Sequence, residues 1–233
     1  MLSRLNKGFR QQAVSFFRDR QDSAHATGCG FVMTFGGTGK KLDLEPYTQW
    51  APGVRSSASA CGPATMAAMA EYWGRHLGQS AIIGRERFGS KAEHINYLYG
   101  NYGGRPWGMS VRGFAKGLEA YLQSALGDAP AVLLRRFNDF ALYKAEIDAD
   151  RPVAIKFDKW FSLRWMGRYA FDYHWTVGIG YELTEFGPRL ILQDNGARRA
   201  DGGYAASRER RIDYAGNRSV ITMLAVELVP KGT

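Results

Sequence analysis

Three runs near the C-terminal end constrain the fold most. YHWTVGIGYEL (173–183), PRLILQD (188–194) and SVITMLAVELVP (219–230) read as strands, and TEFGP lies between the first two as a hairpin turn. A hairpin makes its two strands antiparallel neighbours. Helical patterns come before them, at 63–77, 90–99, 110–126 and 138–149, with one further strand, PVAIKF, at 152–157. In 110–126, Val111, Phe114, Leu118, Tyr121, Leu122 and Ala125 recur at three- and four-residue steps. Helices first and antiparallel strands last predict an α+β fold, with an N-terminal helical part packed on an antiparallel β-sheet.

The beginning of the chain reads differently. Residues 1–24 form a basic, partly amphipathic helix with Leu2, Leu5, Phe9, Val14, Phe16 and Phe17 as its apolar positions. Phe31–Phe35 reads as a strand, and Gly36–Lys40 as a flexible glycine turn. That turn is no phosphate loop, because Thr34 and Lys41 stand where the motif needs glycine and a hydroxyl residue. Residues 1–41 are therefore expected to be an N-terminal extension and 42–233 the main domain, entered through the extended LDLEPYTQW.

A net charge of +9 permits acidic partners, but the basic residues are scattered, and the arginine-rich 198–211 reads as a solvated loop. An obligatory nucleic-acid partner is not expected. Two cysteines, Cys29 and Cys61, make no disulfide framework, and no CxxC or HxxH spacing offers a zinc site. No metal or cofactor is implied. No apolar run is long enough to span a membrane, and the charged N-terminus lacks a secretory h-region. The expectation is a cytoplasmic chain, or one exported without a cleavable signal peptide.

Chemistry concentrates around Cys61. Pro63 suits the first turn of a helix, and Ala64–Trp73 is rich in helix formers. The sulfur then sits at the positive end of a helix dipole, where a thiolate is favoured. Gly62 lets backbone approach closely there, and amides at the helix start can face an oxyanion. A nucleophilic thiol needs a base. His76 is fifteen residues along the same helix, about 22 Å away, and cannot reach. His25 and His94 lie in polar segments and are expected at the surface. His174 heads a strand in which Gly178 and Gly180 leave room for something to pack closely. If the hairpin turn centres near Glu185, Thr176 faces Asp194, and His174 and Asp194 become diagonal neighbours on one face. Asp194 or the adjacent Asn195 can then orient the imidazole. Gln49 is available as an oxyanion donor, and Tyr173, Trp175, Trp160 and Trp165 as cleft walls.

The set LDLEPYTQW, CGPATMAAM, EIDADRPVAI, HWTVGIGYE and LILQDNG resembles the papain-like cysteine peptidases of the bacteriocin-leader-processing, double-glycine type, over residues 42 to about 196. The resemblance implies a papain-like fold with Cys61 as nucleophile, His174 as general base and acid, Asp194 as orienter and Gln49 as oxyanion donor. It implies a peptide or protein substrate, with Gly62, Tyr173 and Trp175 beside it. Gln49 lies twelve residues before the cysteine, farther than is usual in the leader peptidases, so WAPGVRSSASA must loop out. No transporter domains follow, so transporter-coupled leader cleavage is not expected. The same triad serves proteolysis, glutamine deamidation and acyl transfer to an amine, and a bacterial effector or toxin is one setting for it. A peptide-binding module that kept the cleft and lost the chemistry is the alternative from another class.

Overall fold

The computed structural model describes residues 38–127 and 130–229. The helix expected at 1–24 and the strand at 31–35 lie outside them. The described chain opens with β1 (Gly39–Lys41), and a short 3-10 turn at Ser57–Ser59 leads into α1 (Cys61–His76). There follow α2 (Ser80–Ile83), α3 (Lys91–Asn101) and α4 (Val111–Leu126). The rest is β2 (Ala131–Phe137), α5 (Phe140–Asp148), β3 (Val153–Asp158), β4 (Tyr173–Thr184), β5 (Gly187–Gln193), β6 (Ala197–Arg198), β7 (Tyr204–Ala205), β8 (Glu209–Asp213), α6 (Tyr214–Asn217) and β9 (Ile221–Val229). The sheet runs β2-β9-β3-β4-β5-β8, and β1 pairs with β4 where β3 leaves its edge. Every pairing in it is antiparallel, so the α+β class expected from the element order is the class found.

Several strands depart from the sequence reading, among them the small β6–β7 pair. Gly39 and Lys40, read as a glycine turn, are paired in β1 with Glu182 and Tyr181. AVLLRRF, outside every element the sequence pattern marks, forms β2. The arginine-rich stretch contributes β8, whose Arg210 pairs with Leu192 of β5. An alternating charged strand on a sheet edge looks like a loop in composition, which hides it.

Helix α1 is buried from Cys61 to Gly74. Its many alanines let neighbouring elements approach on every side. Its one buried carboxylate, Glu71, is answered by Arg75 Nε at 3.1 Å and the Arg85 backbone N–H at 2.6 Å. Alternate residues of β4 face two layers. Trp175 stacks on Phe114 of α4 with ring centroids 4.1 Å apart, and Gly178 receives Tyr143 of α5. The Tyr143 hydroxyl donates to Gly180 O at 2.7 Å. The two glycines therefore make room for a tyrosine and for β1.

The hairpin register decides where Asp194 points. Pairing starts at Thr184 with Gly187 and continues to Gly180 with Ile191. Carried straight on, it would set Asp194 opposite Val177, on the face away from His174. A bulge at Ile179 shifts the register by one, so that Gly178 meets Leu192 and Val177 meets Gln193. Extended by one step, this sets Asp194 against Thr176, the pairing expected from the sequence. A turn centred half a residue away from the expected place is compensated by the bulge.

A Cβ at Gly178 would lie 2.7 Å from Tyr143 Cε2 and 2.8 Å from Ile155 Cδ1. Gly178→Ala should destabilise the protein by about 1–3 kcal/mol, read as a lower urea midpoint with an unchanged slope.

Candidate active site

Four segments converge on the sulfur of Cys61. The thiol is free and sits on the first residue of α1, with Ala60 as N-cap. The first amides of a helix have no partner within it, and Pro63 removes one of them. The amides of Cys61 and Gly62 are thus the helix-start donors beside the sulfur. Gly62 serves packing: a Cβ there would meet Met109 Cβ at 2.9 Å. The close approach expected at Gly62 is made by Met109.

His174 is the second residue of β4, and its ring shares the cleft with the Cys61 sulfur, each shifting the other toward its charged form. Its Nε2 pairs with Asp194 Oδ1 at 3.1 Å, which leaves Nδ1 for the sulfur. Asp194 follows β5, is almost fully buried, and has Arg210 Nε 2.7 Å from its Oδ2. That contact is an ion pair whose N–H points off the line to the oxygen. Arg210 also lies over the Phe171 ring, 5.1 Å from its centroid, and Phe171 flanks the His174 ring at 4.7 Å. Sequence reading placed Arg210 in a solvated loop; the structure places it behind the carboxylate. Composition gives no signal for it, since the alternation of this strand is in its burial and not in the residue types of ERRID.

Asn195 has a separate task. Strand alternation sends it to the opposite side from Asp194. Its Nδ2 reaches Trp175 O at 2.8 Å, Thr65 Oγ1 at 2.9 Å and Cys61 O at 3.0 Å. This buried amide ties the start of α1 to β4, and so fixes the cysteine relative to the histidine strand.

Gln49 reaches the site despite its distance in sequence. WAPGVRSSASA loops out through the turn at Ser57–Ser59, and the Gln49 backbone N–H donates to Asn195 O at 3.0 Å. Its Nε2 spends one hydrogen on Ser57 O at 2.8 Å and keeps a second. Its side chain opens on the same cleft as Cys61, His174 and Asp194, about 680 Å³ in volume. Tyr173, Trp50, Trp107 and Phe171 wall that cleft. Trp175 does not. Its ring is fully buried against Phe114, its Nε1 donates to Met109 O at 2.9 Å, and it bears on the sulfur through its backbone amide, which helps lower the thiol. Trp160 and Trp165 are exposed on the loop before β4. His94, expected at the surface, is a core residue between Tyr47 and Tyr121, and burial pulls it down to about 3.

The electrostatics favour a charged pair. Burial alone would raise the Cys61 thiol. The His174 hydrogen bond and charge, the Trp175 amide and the charge of Lys156 outweigh it, and the thiol falls below its ordinary value. Burial would lower His174, but Asp194 and Cys61 hold its proton and lift it to about 9. Both shifts favour the thiolate–imidazolium form of the pair. Asp194 is likewise pushed up by burial and held down, on balance, by His174 and Arg210. A thiolate beside an imidazolium, at a helix start with unspent amides, is equipped for attack on an acyl carbon.

Helices packed on an antiparallel sheet, with a cysteine at a helix start against a histidine strand, define the papain-like class of fold. The chain belongs to the Peptidase_C39 like family, which it matches over residues 41–215, and this membership points to a cysteine peptidase. Among solved structures, it is similar to digestive procathepsin L 3 of the Tenebrio molitor larval midgut at 13% identity and a TM-score of 0.38, covering 80% of this chain and 67% of that one. No curated protein matches it.

Alkylation should read the thiolate directly. Iodoacetamide modification of Cys61, followed by peptide mass analysis, should be rapid at neutral pH and should not fall as pH rises past 9. His174→Ala removes the main groups that lower the thiol, so modification at neutral pH should slow by about tenfold or more, one unit of thiol pKa being one decade of thiolate. Asn195→Asp, which turns a donor between carbonyls into a buried carboxylate, should cost about 3–5 kcal/mol of stability by denaturant titration.

Proposed function

We propose that this protein is a thiol hydrolase that cleaves peptide or amide bonds, with Cys61, His174 and Asp194 as its triad. The observation that carries the reading is the meeting of Cys61 and His174 in one cleft, each favouring the charged form of the other, with the ring held by Asp194 at 3.1 Å. The Cys61 thiolate attacks the carbonyl carbon, and the carbonyl electrons move to oxygen. The Cys61 amide and the second Gln49 Nε2 hydrogen stabilise that oxyanion. His174 gives its proton to the leaving nitrogen as the C–N bond breaks, leaving a thioester. It then takes a proton from water, which attacks the thioester carbon. Expulsion of the sulfur releases the acid and restores the ion pair. Asp194 keeps the imidazole oriented throughout and favours its protonated form.

Incubation with a mixed peptide library tests the reaction class by mass. Cleavage products are expected. The small mass gain of amide-to-acid conversion would reassign the chemistry to deamidation, ligated products to acyl transfer, and no product together with slow Cys61 alkylation would leave a binding module.

Cys61→Ala should abolish turnover and keep the fold, as judged by circular dichroism. Gln49→Ala should lower kcat by roughly 100-fold. Asp194→Ala should lower it less than His174→Ala, because the ring retains its contact with the sulfur. The kcat/KM profile should be bell-shaped, rising as the thiol ionises and falling as His174 loses its proton near pH 9. Asp194→Ala removes a group that raises His174, so the alkaline limb should move to lower pH.

A further inference from the structure

A second cavity of about 840 Å³ adjoins the cleft, and Tyr173, Trp107 and Gly108 belong to the walls of both. Its lining is cationic, with one buried cation and three exposed ones. Arg105, Arg112, Arg136 and Lys156 line it, against a single carboxylate, Asp158. That carboxylate already accepts the Phe161 backbone N–H at 3.1 Å. Among the described residues, none of the three arginines makes an ion pair with a carboxylate.

Lys156 is the unusual member. It sits in mid-β3, in register with Trp175 of β4 and Thr222 of β9, on the face that meets α4. It is 1% exposed, and its Nζ has no hydrogen-bond partner among the described residues. The ammonium lies over the Tyr173 ring, 2.9 Å from its centroid. A buried ammonium without an acceptor is costly unless something arrives to pair with it. The start of α4 faces the same space. Ser110 Oγ caps Gly113 N–H at 3.1 Å, and the Val111 and Arg112 amides remain beside the cavity at the positive end of a sixteen-residue helix. Buried ammonium, helix start and three guanidinium groups thus surround one volume next to the reacting sulfur.

We propose that this cavity is a specificity pocket for an acidic side chain, glutamate or aspartate, of the peptide substrate, with Lys156 at its base. The inference rests on the hydrolase reading for its placement beside a scissile bond. The carboxylate pairs with Lys156 Nζ and the α4 amides, and Arg105, Arg112 and Arg136 at the more exposed edge draw acidic peptides in. Burial holds the free ammonium down to about 8, against the raising charges of Cys61 and Asp158, and a bound carboxylate would favour its charged form. Tyr173 is the partition that keeps the pocket's occupant apart from the thiolate.

Peptides that are cleaved should be remade as sets differing at one residue, Glu, Gln, Leu or Lys, at each position near the scissile bond. At one position Glu should exceed Gln by roughly 10- to 100-fold in kcat/KM, as expected for one charge-assisted hydrogen bond. Lys156→Met should erase the ratio, and Lys156→Glu should turn the preference toward lysine. Arg112→Gln with Arg136→Gln, at exposed positions that put folding at little risk, should reduce it. Cleavage with equal kcat/KM for the Glu and Gln peptides at every position would overturn the pocket and leave the hydrolase standing. Cys61→Ala protein titrated with the acidic peptide and its Gln twin judges the pocket without turnover. Tighter, salt-sensitive binding of the acidic peptide is expected, and equal affinity for the two would overturn the proposal even if no peptide is cleaved.

Discussion

A thiolate and an imidazolium held together under cover are the constraint around which the rest of this structure is arranged. Taking either ion out of water costs several kcal/mol, and their mutual attraction offsets this only with good geometry and further hydrogen bonds. The structure supplies those on each side. The sulfur has the α1 dipole and the Trp175 amide. The ring has Asp194, and Asp194 has Arg210. Removing one member exposes the next to an uncompensated charge, so the group behaves as a unit.

Positioning that unit is a problem of register. Cys61 belongs to a helix, His174 to a strand, and Asp194 to the strand beside it. The bulge at Ile179 turns Asp194 toward His174, and the next residue, Asn195, is turned by strand alternation into the α1 interface. Two consecutive side chains thus hold His174 from one side and the helix of Cys61 from the other. A shift of one residue in β5 would exchange an acceptor and a donor, and break both contacts at once.

Much of this arrangement was legible in the sequence, for a local reason. Pro63 after Cys61-Gly62 marks a helix start, and TEFGP between apolar runs marks a hairpin; both signals depend on a few adjacent residues. What stayed hidden depended on partners remote in sequence. The ERRID strand looks like a charged loop until β5 supplies its ladder. Trp175 looks like a cleft wall until Phe114 is stacked on it, and His94 looks polar and exposed until Tyr47 and Tyr121 close over it. The eleven residues between Gln49 and Cys61 concealed a contact that the Asn195 carbonyl restores. Lys156 did leave a local mark, a lone cation inside the apolar PVAIKF.

A charge balance around the sulfur sets Lys156 apart from its neighbours. Cys61 as thiolate is matched by His174 as imidazolium, and Asp194 by Arg210, so the cleft group is neutral without help. Lys156 is near enough to lower the thiol, and it feels the charge of Asp158, yet its ammonium has no hydrogen-bond acceptor among the described residues and lies against aromatic faces. An apolar side chain in mid-β3 would pack between Tyr173 and Trp175 with no desolvation penalty, so packing gives no reason for a cation there. Buried unpaired charge is among the most destabilising features a fold can carry. It is intelligible at a binding surface, where a ligand completes the pairing. The cavity next to Lys156 shares Tyr173, Trp107 and Gly108 with the cleft, so a peptide lying in that cleft would have side chains within reach of it.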